Sequence, residues 1–171
     1  PFELNPQMPA EGEDRNAHIA RKYGQSPEQT AQVRERIRER AASVGFTMGK
    51  AQNRIYNTFD AHRLLHWAGL EGKQAALKNA LLVAYFTDGL NIADPEVLVA
   101  KAEEAGLDPA GAREVLESGR YADDVRQEEQ SWINAGISSV PAIVVNRQYL
   151  ISGGQPPEVF EESLRQIAAK I

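Results

Sequence analysis

His62 and His66 stand four residues apart, the spacing that puts two imidazoles on one face of a helix. Two metal ligands can be spaced this way. However, the zincin glutamate is missing between them and no third ligand is evident in the chain around them. They read as helix-packing or pocket-lining histidines, and no metal site is expected. A second unusual stretch is "GISSVPAIVVNRQYLISGGQPPEVF", residues 136–160. Its apolar run opens at Val140-Pro141, turns at Asn146-Arg147 and returns through Tyr149 and Leu150. The "GGQPP" within it lacks the lysine and the glycine spacing of a phosphate loop. The 171 residues hold no cysteine, which excludes disulfides, thiolate metal sites and cysteine nucleophiles for this chain. No Ser-His-Asp arrangement has a local signature.

The elements that must position these residues are mostly helical. Asp14 is placed to cap a helix ending near Tyr23, with Gly24 as its stop. Ser26-Pro27-Glu28-Gln29 is a capping box, opening a helix that runs to about Val44, with Gly45 beyond it. On that helix Val33, Ile37, Ala41 and Val44 share a face, and interleaved Arg and Glu read as a solvated one. Residues 5–13 and 46–56 read as loops. Asn57 or Thr58 caps the next helix, with Gly69 as terminator. A longer one from about Gly72 to Asp88 is apolar over much of its circumference and is expected to be largely buried. Asp94-Pro95 and Asp108-Pro109 open helices that end at Gly106 and Gly119. A further helix spans about Tyr121 to Ala135. The strands Ala142–Val145 and Tyr149–Ser152 follow. Pro156-Pro157 starts a last helix with an apolar face of Val159, Phe160, Leu164, Ile167 and Ile171. Phe2 and Leu4 alternate with polar neighbours like the tail of a strand.

Composition narrows the partners. The net charge is −5, and no basic stretch is free of acids, which argues against nucleic acid. No apolar run approaches the ~20 residues of a membrane span. A lone two-stranded hairpin is marginal in water, so its apolar strands need further strands beside them.

Three segments carry a family resemblance: "PFELNPQMP" at the start, "YNTFDAHRLLHWA" in the middle, and "SVPAIVVNRQYLISGGQPPEVFEESL" at the end. Together they resemble the FrnE-like branch of the DsbA family, over essentially the whole chain. The resemblance implies an α/β, thioredoxin-like fold with a large inserted α-helical domain. It assigns residues 1–13 to a remnant of a thioredoxin strand and loop. Residues 14–118 become the inserted helical domain, and residues 119–171 the C-terminal α-β-β-α unit. It also implies a cis-proline at Pro141, with Val140 and Pro141 contacting an extended peptide substrate as an added strand would. The bare residues equally allow Pro141 simply to start an edge strand.

Members of that branch normally begin with a β-α-β unit carrying Cys-x-x-Cys, whereas this chain begins at that unit's end. The implied activity is thiol-disulfide exchange, in which one thiolate attacks and a second cysteine resolves the mixed disulfide. With no catalytic cysteine, this chain is expected to be redox-inert. Two alternatives stay open. One is a non-catalytic binding or assembly module of the same fold. The other is a glutathione-dependent isomerase or transferase, of the 2-hydroxychromene-2-carboxylate isomerase or kappa-class type. In those relatives the region of Asn5 contacts glutathione, so Asn5 joins Val140, Pro141, His62 and His66 as a substrate-binding candidate. No cofactor is expected beyond that candidate glutathione. The expected partners are an extended peptide or small thiol, and a second copy completing the sheet. The resemblance implies a cytoplasmic location.

Overall fold

Eight helices and two short antiparallel strand pairs make up the computed structural model, which describes residues 1–50 and 53–170. Readings that touch residues 51, 52 and Ile171 lie outside that description. The helices are α1 (Arg15–Tyr23), α2 (Pro27–Ser43), α3 (Phe59–Leu70), α4 (Gln74–Phe86), α5 (Pro95–Glu104), α6 (Pro109–Ser118), α7 (Ala122–Asn134) and α8 (Pro157–Ala168). The strands are β1 (Glu13–Asp14), β2 (Arg54–Ile55), β3 (Ala142–Val145) and β4 (Tyr149–Ser152).

Local chemistry sets the helix starts. Asp14 accepts a hydrogen bond from the Ala17 amide at 2.9 Å. The Ser26 hydroxyl accepts from the Gln29 amide, and the Gln29 side chain accepts in return from the Ser26 amide. Asp94 and Asp108 accept from Glu96 and Gly111, each with proline in the first turn behind it. Each of these side chains satisfies at least one of the amides a helix start leaves without a partner, and Asp108 accepts from Ala110 as well.

The chain forms two compact units, one of Pro1 and Glu3–Arg126, the other of Phe2 and Gln127–Ile171. In the first, α3, α4, α5 and α6 enclose one apolar core. Leu64, Leu77, Leu98 and Val115, one from each helix, are at most 1% exposed. Burying each such side chain contributes about 1.5–3 kcal/mol. In the second unit, β3 and β4 pair antiparallel with Ala142 opposite Ser152 and Val145 opposite Tyr149. Ile151 of β4 and Ile167 of α8 are its buried residues on those elements.

Four expectations are corrected. Residues 2–4 form no strand, and Leu4 is half-exposed, because no ladder is offered to them among the described residues. The segments read as loops contribute β1 and β2, which pair antiparallel over two residues. Gly69 lies inside α3; the turn that ends it comes at Gly72, at φ 69°. Finally, α4 buries only the face of Leu77, Ala80, Leu81 and Ala84, leaving Leu82 and Val83 exposed. Its neighbours α3 and α5 cover one side only, so its apolar breadth exceeds what they bury.

Candidate functional site

Two sets of residues carry the candidate chemistry, one in each unit. In the second, the turn between β3 and β4 is built by Asn146 and Arg147, both at positive φ (52° and 57°), with the Gln148 amide donating to Val145 O at 3.1 Å. Two positive-φ central residues are what a type I′ turn requires. The Val140–Pro141 peptide bond is cis, and both residues are exposed.

The direction of the strand's backbone groups follows from one hydrogen bond. Gly153 N donates to Pro141 O at 2.9 Å, which makes Pro141 and Gly153 a hydrogen-bonded pair. Antiparallel ladders alternate such pairs with non-bonded ones. Ile143 and Val145 therefore face β4 with their N–H and C=O groups. Ala142 and Val144 turn theirs to the other side, where no strand pairs with β3 among the described residues. The side chains nearby are apolar and half-exposed: Val140 at 45% and Ile143 at 40%.

In the first unit, the segment "NTFDAHR" at the start of α3 ties several elements together. Asn57 Oδ1 accepts from the Phe59 amide at 2.9 Å, and its Nδ2 donates to Met8 O at 2.8 Å. The capping role expected of Asn57 or Thr58 falls to the Asn57 side chain; that of Thr58 makes no cap bond. The Arg126 guanidinium stacks 3.8 Å from the Phe59 ring centroid and pairs with Glu3. His62 is pushed down to about 4, first by burial, with the cationic Pro1 amine, Lys78 and Arg126 adding to it. It is therefore a neutral imidazole at pH 7. The His66 ring packs on Tyr121, centroids 5.1 Å apart.

Of the sequence candidates, Val140 and Pro141 adjoin at the open strand, while Asn5, His62 and His66 belong to the other unit. Asn5 Oδ1 accepts from Lys22 Nζ at 2.7 Å, so that acceptor is already engaged. Among the described residues, no three His, Cys, Asp or Glu side chains cluster as a metal site would need, and no helix is long and apolar enough to cross a membrane. Sequence reading missed the part played by Arg63. Only 4% exposed, it donates from Nε to Arg120 O at 2.9 Å, from a guanidinium nitrogen to Val115 O, and to Asp60 at 2.6 Å. An arginine three residues after an aspartate was the only local signal for it.

A β-β-α unit that carries a cis-proline strand and a separate helical unit are the two parts of a thioredoxin-like DsbA fold. The chain belongs to the DSBA-like thioredoxin domain family, whose model matches residues 1–165. It is similar to a probable DsbA oxidoreductase from Streptomyces coelicolor, with 35% identity and a TM-score of 0.93 over 99% of this chain and 74% of that one. A candidate protein disulfide isomerase from Nitrosomonas europaea shares the fold at 19% identity, with a TM-score of 0.68 over 90% of this chain and 88% of that one. Over 100 residues, 58% of this chain, it is 31% identical to the protein YwbO of Bacillus subtilis (strain 168). The match spans only half of that curated relative's length.

Proposed function

We propose that this chain is a FrnE-type, DsbA-like thiol-disulfide oxidoreductase or disulfide isomerase, and that its 171 residues supply polypeptide binding rather than thiol chemistry. The observation that carries the binding part is the open side of β3. Ala142 and Val144 present two N–H and two C=O groups there, beside the exposed apolar side chains of Val140 and Ile143. An extended peptide can add to such an edge as a strand, with main-chain hydrogen bonds giving affinity. The redox step needs an attacking thiolate and a resolving cysteine. The chain contains neither.

The same edge suits a second copy of the chain, so a homodimer that extends the sheet goes with this reading. A cytoplasmic location goes with it as well. The glutathione alternative gains nothing from Asn5, whose side-chain oxygen is held by Lys22.

The test has two arms on the 171-residue chain. A fluorescent extended peptide should bind saturably, by anisotropy. The same preparation should reduce insulin with dithiothreitol no faster than buffer does. Insulin turnover above that background would overturn the redox part. Failure of every extended peptide tried would overturn the binding part.

A further inference from the structure

A cavity of about 490 Å³ in the first unit takes no part in the peptide reading. Its size falls in the ~300–1,000 Å³ range of small-molecule sites. Ile19 of α1, Ile37 of α2, Met48, Ile55 of β2 and Phe86 of α4 make it largely apolar. Three guanidinium side chains also line it: Arg15, Arg34 and Arg38. None of its described lining residues is acidic.

These cations are close enough to act on one another. Arg34 is held below its ordinary value, first by burial and then by the charges of Arg15 and Arg38. A guanidinium nitrogen of Arg15 donates to the Tyr85 hydroxyl at 3.4 Å. Arg38 pairs with Glu35 through one terminal nitrogen, while its Nε is buried with no acceptor among the described residues. Like charges against an apolar wall are costly, and a buried donor without an acceptor adds to that cost. An anion would offset both. Arg34 and Arg38 are one helical turn apart on α2, with Ile37 between them, so one ligand can touch both the charged and the apolar wall. The largely apolar walls favour a ligand with a single negative charge over a polyphosphate.

We propose that this cavity binds an amphiphilic monocarboxylate, with its tail against Ile19, Ile37 and Phe86 and its carboxylate on the Arg15, Arg34 and Arg38 cluster. Arginine is suited to the head group, since its planar fork can take a carboxylate through two parallel hydrogen bonds.

Decanoate is the probe, titrated calorimetrically into the full chain. Saturable one-site binding is expected. Decan-1-ol, which keeps the tail without the charge, and acetate, which keeps the charge without the tail, should each bind at least about tenfold more weakly. The Arg34→Gln/Arg38→Gln double variant should weaken decanoate by about tenfold or more and leave decan-1-ol unchanged. Ile37→Asp tests the same point without removing a cation. Ile37 is half-exposed, so the substitution leaves the fold intact and puts a repelling carboxylate at the cavity. If the double variant does not fold by circular dichroism, Ile37→Asp decides alone. Absence of saturable decanoate binding, equal binding of decan-1-ol, or unchanged decanoate affinity in Ile37→Asp would each overturn the proposal.

Discussion

Arg63 Nε donates to the main-chain carbonyl of Arg120 at 2.9 Å, across 57 residues of sequence. Its guanidinium lies at the C-terminal end of α6, where the carbonyls of Val115 and Leu116 also accept from it. A cation there suits both the unpaired carbonyls and the negative end of the helix dipole. Arg63 is thus the link that fixes the end of α6 against α3.

Replacing it should be costly. Arg63→Met leaves the buried Val115 carbonyl and the part-buried Arg120 carbonyl without these donors and should destabilise the first unit by about 2–4 kcal/mol. Arg63→Lys should recover only part of this, since an ammonium lacks the planar fork. Urea denaturation followed by far-UV circular dichroism measures both, and a loss under ~1 kcal/mol for Arg63→Met would contradict the role.

Gly111→Ala should destabilise, against helix propensity. In an open helix the change is favourable by roughly 1 kcal/mol. Here the new Cβ would stand 3.0 Å from Trp67 Cζ2 and 3.2 Å from Cη2. Trp67 is buried in the α3–α6 core and has little room to move. Overpacking of this kind costs about 1–3 kcal/mol, so a net loss of thermal stability is expected in a melting experiment.

The His62 imidazole gives the fold a pH dependence. In the unfolded chain it titrates near ~6.5. In the fold it is pushed down to about 4, so the folded state keeps it neutral where the unfolded chain would protonate it. Its contribution is complete above the unfolded value and is lost as pH falls from there towards about 4. The slope approaches ~1.4 kcal/mol per pH unit at most. Over that window the wild type should lose about 2–3 kcal/mol more than His62→Gln, measured from urea midpoints at a series of pH values.

Proline substitutions can separate the two sides of β3. Val144→Pro removes an N–H that faces the open side and should abolish peptide binding while the hairpin persists, since edge strands tolerate proline there. Ile143→Pro removes an N–H that faces Ile151, so it should break a ladder hydrogen bond and disrupt the hairpin itself. Hydrogen exchange at Ile151 and Tyr149 reports the hairpin. Equal effects of the two prolines on that exchange would contradict the register.

Much of this was legible from local sequence. Asp14, Ser26, Asp94 and Asp108 cap helices where they stand, because a cap is settled within about four residues of chain. The hairpin strands fall at Ala142–Val145 and Tyr149–Ser152, since a turn at Asn146-Arg147 between two apolar runs permits little else. Val140 and Pro141 are candidates through the family resemblance instead, since the bare residues equally allow Pro141 to start an edge strand.

What tertiary structure decided involves partners distant in sequence. Gly69 has the composition of a helix stop but lies within α3, because packing of that helix outweighs one residue's preference. Leu82 and Val83 are as apolar as Leu81, yet only Leu81 faces covering helices. Strand formation at residues 2–4 depended on a ladder no local pattern could supply. Arg63 looked like an ordinary charged residue until α6 ended beside it, and Arg15 looked unrelated to Arg34 and Arg38 until α1 packed on α2. Caps and turns are short-range and could be read from the sequence. Burial, pairing and the clustering of charge depend on which distant segments meet, and only the folded chain brings those together.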